Sequence, residues 1–422
     1  MSLVQMYLSA DGCWARKRLV SYAHYPLCDS INTQRPEIPG VTGKVVLIRN
    51  RALMDLGKFT RYDCRSECPI LLPKNAIDEV VSGRTILLTG AGGSIGSALA
   101  KAIMRLEPRV LILLDHSERN LHEIDLELAI TTDRNSYKSV LGDICDAKLL
   151  SEIFQRYRPE VVYHAAAFKH VPLMENNPFA AVRNNALGTA SLANIAQAEG
   201  VANFVMVSTD KAVNPISIMG ASKRVAELAI LNLNKPKNQM SAMRLGNVLG
   251  SQGSVVPTFL SQISRGGPIT VTHPDVSRYF LTIGEAVELI LLASALDDGG
   301  GIFVPRLGAP VKILDIALEL IAHARSKSDA DIPITFTGLR SGDKMSEEFL
   351  SREESAEPTM DSRLFRVKTN QISADRFDTY IRELCRTVDQ RDLSSMIETV
   401  CQIVNDYRPT ETLYPSTEGT SV

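Results

Sequence analysis

No apolar run in this chain reaches the roughly 18 residues needed to cross a bilayer, so no transmembrane segment is expected. The amino terminus, MSLVQMYLSADGCWARKR, lacks a basic stretch followed by an apolar one and does not read as a secretory signal. Cysteine is sparse: 7 residues, odd in number and scattered, make no disulfide framework, and a reducing cytoplasm fits best. Cys64 and Cys68 lie close together, but no second nearby Cys/His pair completes a zinc site, so they read as structural and no metal is expected. Charge of one sign is also missing. Lys plus Arg number 46 against 48 Asp plus Glu, a net charge of −2. Without a basic excess to neutralise a phosphate backbone, nucleic acid is not an expected partner. No repeat at a period of about 20–50 residues is visible, which excludes solenoids and propellers.

What remains is an ordinary globular composition, 45% hydrophobic and 22% charged, over 422 residues. At roughly 100–200 residues per domain this allows two or three domains, or one large α/β body with appendages. Residues 1–83 carry short apolar pieces without sustained periodicity and read as an irregular extension ending in a short helix, Asn75 to Val81. From Arg84 the pattern changes. Apolar runs at Thr85–Thr89, Val110–Leu114, Val161–His164 and Phe204–Val207 alternate with helically spaced stretches at Ala98–Leu106, Leu149–Tyr157 and Ala186–Ala198. Strands that are apolar throughout are buried on both faces, as in a parallel sheet. Repeated strand–helix–strand means an α/β, doubly wound parallel sheet of the Rossmann type, here over residues 84–240. Residues 241–407 mix short strands (Ala242–Leu245, Ile269–Val271, Ile302–Val304, Ile334–Phe336) with separate helices and read as a smaller mixed α/β substrate lobe. Residues 408–422, rich in Thr, Ser, Pro and Glu, read as a disordered tail.

Two constellations carry chemistry. Gly90, Gly93 and Gly96 punctuate T-G-A-G-G-S-I-G (89–96) between the first strand and first helix. Such a turn lets the backbone, here with Ser94 and Ile95 opening the helix, approach a pyrophosphate at the helix amino terminus. The spacing is G-x-x-G-x-x-G, not G-x-G-x-x-G, but the strand before it, the helix after it and Asp115 ending the second strand favour a dinucleotide over a ligand-free turn. A carboxylate at Asp115 suits ribose hydroxyls and repels a 2′-phosphate, which favours NAD; His116 and Arg119 leave NADP open. Asp115 also has a bland reading as a helix cap. The second constellation is Ser208-Thr209-Asp210-Lys211 after the fourth strand, followed by Met219-Gly220-Ala221-Ser222-Lys223 opening a helix. Met219 and Lys223 fall on one helix face. The bland reading of Asp210 and Lys211 is a surface ion pair.

Taken together, the motifs resemble the extended short-chain dehydrogenase/reductase superfamily and, within it, the nucleotide-sugar 4,6-dehydratases acting on UDP-N-acetylglucosamine in polysaccharide and glycan biosynthesis. The resemblance rests on T-G-A-G-G-S-I-G (89–96), H-A-A-A-F-K-H-V-P (164–172), S-T-D-K-A-V-N-P (208–215) and M-G-A-S-K (219–223). It continues through R-L-G-N-V-L-G-S-Q-G-S-V-V-P (244–257), R-Y-F (278–280) and G-L-R-S-G-D-K-M-S-E-E (338–348). Two departures matter. Many long relatives carry transmembrane helices that this chain lacks, and most of the superfamily has Tyr where Met219 stands. The branch of long bacterial relatives shares that Met, which leans toward retention of configuration at carbon 5.

The resemblance implies a redox-neutral reaction: hydride leaves carbon 4, water is eliminated across carbons 5 and 6, and hydride returns to carbon 6 while the nucleotide stays bound. It makes Asp210 and Lys211 the acid–base candidates. Lys211 is a base only if burial and a neighbouring cation, Lys223, lower its pKa; Asp210 is an acid only if its own is raised. Without Tyr, Thr209 is the group to relay the 4-hydroxyl proton. Ser208 and Lys223 face the cofactor, Lys223 holding the nicotinamide ribose. Asp143 and Ile144 contact adenine; Ala165, Ala166 and Lys169 run along cofactor and substrate; Asn185 lies behind the nicotinamide. Asn247, Arg278, Arg340 and Glu347 bind the UDP portion, Arg suiting a diphosphate through its planar fork. His164 and His170 read as structural, and a homo-oligomer is expected by analogy. Two other readings stay open: a 4-epimerase, which would want the missing Tyr, and a non-catalytic dinucleotide sensor or scaffold, which would have no use for the acid–base pair.

Overall fold

The computed structural model describes residues 4–8, 14–18, 75–296, 299–325, 332–370, 372–411 and 413. The chain divides into two units, residues 1–43 and 44–422. In the first, Val4–Leu8 and Trp14–Arg18 pair antiparallel, so part of the extension expected to be irregular is a hairpin. Cys64 and Cys68 lie outside the described residues.

The second unit is built on one sheet of nine strands: β1 (Thr85–Thr89), β2 (Val110–Asp115), β3 (Tyr137–Leu141), β4 (Val161–His164), β5 (Asn203–Thr209), β6 (Gln239–Leu245), β7 (Gly301–Pro305), β8 (Ser355–Pro358) and β9 (Leu364–Lys368). Their order is β3-β2-β1-β4-β5-β6-β7-β9-β8. β1 to β7 run parallel, and β9 and β8 close the far edge antiparallel. The central strands β1, β2 and β4 and the body of β5 are continuous apolar runs because neither face meets water, whereas the edge strands β3 and β8 are largely exposed. Leu87, Ile112, Val162 and Phe204 enter one core, while their neighbours Ile86, Leu111, Tyr163 and Val205 enter the core on the opposite face.

The helix Asn75–Val81 and the strands at Thr85–Thr89, Val161–His164, Ile269–Val271 and Ile334–Phe336 fall where the sequence places them. The stretch expected as one helix from Ala186 begins instead as a π-helical segment, Val182–Gly188, and becomes α-helical at Thr189–Ala198. The wider π turn puts Asn184 and Asn185, adjacent in sequence, both into the interior. Beyond residue 240 the chain does not leave the sheet: β6 and β7 are buried on both faces and extend it. The smaller lobe has its own core, with Val256, Phe259, Ile269, Val271, Ile316 and Leu320, drawn from the helices Val255–Ser264 and Ile313–Arg325 and the paired strands Ile269–Val271 and Ile334–Phe336. Of the stretch expected as a disordered tail, residues 408–411 and 413 are described and Leu413 is buried; the rest lies outside the described residues.

Candidate active site

The order of the parallel strands reverses between β1 and β4, so loops leave the sheet to either side at its carboxyl edge, where doubly wound sheets hold ligands. The turn after β1 has a backbone that only glycine tolerates. Gly90 has φ +66°, and a Cβ there would lie 2.6 Å from the Ala166 nitrogen. A Cβ at Gly96 would lie 2.0 Å from the Gly90 carbonyl oxygen, so helix Ser94–Met104 packs directly on the turn. Gly93 differs: within 4 Å a Cβ would meet only that same oxygen, at 3.3 Å, and the space ahead of the helix amino terminus is open. Ser94 Oγ accepts from the Gln252 amide at 2.9 Å, and Ile95 packs on the core.

Beside this turn is a cleft lined by Gly90, Gly93, Asp115, Ile144, Ala165 and Ala166. His116, which the sequence ties to the choice of cofactor, also lines it, as do Asn120, Phe168 and Asn184, which were not foreseen from sequence although Phe168 stands inside the H-A-A-A-F-K-H motif. Asp115 is buried and accepts from the amides of Gly92 and Ser117, each at 2.9 Å, which fixes its carboxylate at the end of β2. Each oxygen retains capacity for a further donor. Asp143 is not in the cleft lining; its side chain accepts from the Cys145 amide at 2.8 Å and shapes the turn that presents Ile144. Asn185 is fully buried, clasps both the amide and carbonyl of Phe168 at 2.8 and 2.9 Å and donates to Ser222 Oγ at 3.1 Å. It therefore ties the cleft wall to the Met219–Lys223 helix. Lys169, next in the chain, is exposed.

The carboxyl end of β5 holds the second group. Thr209 Oγ1 donates to Asp210 Oδ1 at 2.9 Å, and Lys211 Nζ donates to that same oxygen at 2.9 Å. Asp210 is fully buried, and its Oδ2 has no hydrogen-bond partner among the described residues. A buried, unpaired carboxylate oxygen calls for a donor from outside the protein, a water or a ligand group. Lys211 Nζ also donates to Asn247 Oδ1 at 3.2 Å and lies 3.7 Å from Glu347 Oε1. Arg278 Nε is likewise 3.7 Å from Glu347 Oε1, while its terminal nitrogens donate to the carbonyls of Ser277, Met345 and Lys344. Three motifs thus meet at Lys211, and a fourth, that of Arg278, joins through Glu347. Arg340 does not join them: it is exposed and bonded to Asp343 at 2.8 Å.

One expectation is corrected here. Burial pulls the Lys211 ammonium down, but the carboxylates of Asp210 and Glu347 outweigh it, so its pKa lies above the usual lysine value, not below it. Lys223 is the lysine lowered furthest, pushed down to about 8 by burial and only partly restored by Glu227, and desolvation lowers Lys169 as well. Lys223 and Met219 are both buried in helix Ile218–Leu233, whose amino end is capped by Ser217. A Cβ at Gly220 would lie 2.1 Å from the Lys211 carbonyl oxygen, a contact that seats this helix against the Asp210–Lys211 turn. His164 is structural: its ring nitrogens bond Thr89 Oγ1 at 2.7 Å and Thr189 Oγ1 at 2.8 Å, and burial, aided by Lys223, lowers its pKa to about 3.

Ser208 faces a feature the sequence did not disclose. Its hydroxyl donates to Glu227 at 2.6 Å, and Glu227 pairs through both oxygens with Arg244, which in turn pairs with Glu354. All three charged side chains are almost fully buried. The network pins the β5 terminus to β6 and to the segment before β8.

A parallel sheet with a glycine turn at its order reversal, an acid closing β2 and a Met-x-x-x-Lys helix against a Thr-Asp-Lys turn defines an extended short-chain dehydrogenase/reductase. The chain belongs to the family described as "Polysaccharide biosynthesis protein", whose profile matches residues 86–369. It is 43% identical over 342 residues to the capsular polysaccharide biosynthesis protein CapD of Staphylococcus aureus, covering 80% of this chain and 57% of that one. It is 47% identical over 311 residues to the probable polysaccharide biosynthesis protein EpsC of Bacillus subtilis, covering 73% and 52%. The chain thus spans about half the length of these relatives. Among solved structures, Pen from Bacillus thuringiensis superposes with a TM-score of 0.62 at 26% identity, covering 73% of this chain and 98% of that one. The UDP-glucose 4-epimerase of Thermus thermophilus, in complex with NAD, shares the fold with a TM-score of 0.52 at 21% identity, covering 62% and 89%.

Proposed function

We propose that this chain is a nucleotide-sugar 4,6-dehydratase using tightly bound NAD, converting UDP-N-acetylglucosamine to a 4-keto-6-deoxy sugar nucleotide for polysaccharide synthesis, with retention at carbon 5. The observation that carries this reading is the ion pair of Lys211, partly open to solvent, with the fully buried Asp210, one of whose carboxylate oxygens is left unpartnered. An epimerase has no elimination to catalyse, and Met219 stands where a proton-transferring Tyr would serve it.

The residues fit the cofactor. The open space at Gly93 suits a pyrophosphate, Asp115 suits ribose hydroxyls, and Ala165 and Ala166 keep the path along the cleft low. When bound, NAD supplies reversible hydride acceptance. Lys223 would hold the nicotinamide ribose, and Thr209, already bonded to Asp210, would relay the 4-hydroxyl proton toward it.

Proton traffic in this scheme balances. The 4-hydroxyl and carbon 5 each release a proton, while the departing hydroxide and the final carbon 5 each take one. Lys211 rests as an ammonium, the form that protonates the leaving 6-hydroxyl, and Asp210 is the partner placed to accept. The 2.9 Å bond between them lets the pair exchange its proton between steps.

The test is incubation of the protein with UDP-N-acetylglucosamine followed by mass spectrometry. Loss of water is expected. An isomer of unchanged mass would make the protein an epimerase, and absence of turnover with NAD bound would make it a scaffold. Lys211→Ala is expected to lower turnover by at least roughly a hundredfold while NAD stays bound; retained turnover removes Lys211 from the chemistry.

A further inference from the structure

Glu347 is nine-tenths buried at the edge of the smaller lobe, far in sequence from the Thr-Asp-Lys turn. Its Oε1 faces Lys211 Nζ and Arg278 Nε, each at 3.7 Å, and its Oε2 faces Lys344 Nζ at 3.8 Å without a hydrogen bond from any described residue. An ammonium has three N–H groups, and around Lys211 stand three oxygen acceptors: Asp210 at 2.9 Å, Asn247 at 3.2 Å and Glu347 at 3.7 Å. The remaining charges that face the cluster are Arg278, bonded to three carbonyls, and Lys344, which donates to the Val213 carbonyl at 2.7 Å. Removing the Glu347 charge would leave Lys211, Arg278 and Lys344 opposed by Asp210 alone.

We infer that Glu347 is a positioning residue for Lys211: it supplies the second carboxylate that keeps the amine protonated and aimed, instead of binding the nucleotide as its motif suggested. This rests on the proposed dehydratase reading only for its consequence in turnover. Burial alone would push Lys211 toward the neutral amine; two carboxylates reverse that sign. The unpaired Glu347 Oε2 and Asp210 Oδ2 then remain as two acceptors for substrate hydroxyl groups.

The experiment measures Lys211 ionisation without turnover. The NAD-loaded protein is pulse-labelled with acetic anhydride from pH 8 to about 12, a range that spans a lysine midpoint above the usual value, and acetylation of Lys211 is read by peptide mass spectrometry. In Glu347→Gln the labelling midpoint should fall by about one to two pH units, whereas Glu347→Asp, which keeps the charge, should restore it to near the wild-type position. Lys344→Met removes a cation facing Glu347 and should move the midpoint upward; it also serves if Glu347→Gln does not fold. An unmoved midpoint in the folded variants, or equal falls in Glu347→Gln and Glu347→Asp, overturns the assignment. Where turnover is present, the alkaline limb of kcat should move with the midpoint. A shifted midpoint in a protein that never dehydrates the sugar nucleotide would keep the role of Glu347 and defeat the dehydratase reading.

Discussion

Lys211, partly buried, and Lys223, buried, are both amines at one edge of the sheet, yet their neighbours drive them in opposite directions. Lys211 sits against two carboxylates and is held charged; Lys223 has only the more distant help of Glu227, itself committed to Arg244. Which lysine would be depressed was not readable from sequence, because Glu347 lies more than a hundred residues from Lys211 and Arg244 lies in a strand that reads as apolar. For Lys223 the folded pKa, about 8, is below the unfolded value, so the unfolded chain binds more protons between pH 8 and about 10.5. Stability from this group is therefore absent below pH 8 and gained as pH rises through that window. The stability difference between wild type and Lys223→Met, measured by denaturant unfolding without added nucleotide, should shift in favour of wild type by roughly 3 kcal/mol across it. A pH-independent difference would show that Lys223 titrates normally.

Among the elements, those that are continuous apolar runs were the legible ones, since burial on both faces leaves an unambiguous mark; β1 and β4 match to the residue. The π segment Val182–Gly188 was not legible, because an inserted residue leaves the helical spacing on either side nearly intact. The glycine turn was legible as a motif but not as a division of labour. Gly96→Ala should destabilise the fold by more than about 3 kcal/mol, since its Cβ would enter the Gly90 carbonyl. Gly93→Ala should melt near wild type yet weaken NAD binding by roughly tenfold or more, as read by calorimetry. Equal effects of the two would place the pyrophosphate elsewhere. The segment after helix Leu393–Ile403, part of which reads as tail, straps the site instead. Asp406 accepts from the Asn214 amide at 3.2 Å, and Arg408 donates its amide to the Pro215 carbonyl at 3.0 Å. Thr410 donates at 2.8 Å to Glu175, whose other oxygen accepts from the Ile218 amide at 2.7 Å. At about 1 kcal/mol per bond, Asp406→Ala combined with Thr410→Val should speed amide exchange at Asn214 and Ile218 by roughly fivefold. Unchanged exchange would mean the loop is held instead by the remaining bonds, from Lys344 to the Val213 carbonyl, from the Arg408 amide to Pro215 and from the Asn214 side chain to Glu348 at 2.6 Å.

For the whole second unit, the fold class, the glycine turn and the Thr-Asp-Lys turn were all readable because each is local in sequence. The assembly around Lys211 was not, since it joins β5, the start of the small lobe, the Arg278 strand and the loop holding Glu347, and only the folded chain brings those segments together. That convergence is what distinguishes a proton-transferring pocket from a dinucleotide cradle alone. Elimination and reprotonation pass the carbon 5 proton through the Asp210–Lys211 pair, whose protons exchange with solvent, so solvent hydrogen enters at carbon 5, whereas exchange of hydride at carbon 4 alone brings in none. The most direct measurement is turnover of UDP-N-acetylglucosamine in deuterium oxide, with the product located by NMR and weighed. One deuterium at carbon 5 of a dehydrated product is the predicted result; a product of unchanged carbon skeleton and hydroxyl count with no deuterium on carbon would contradict it.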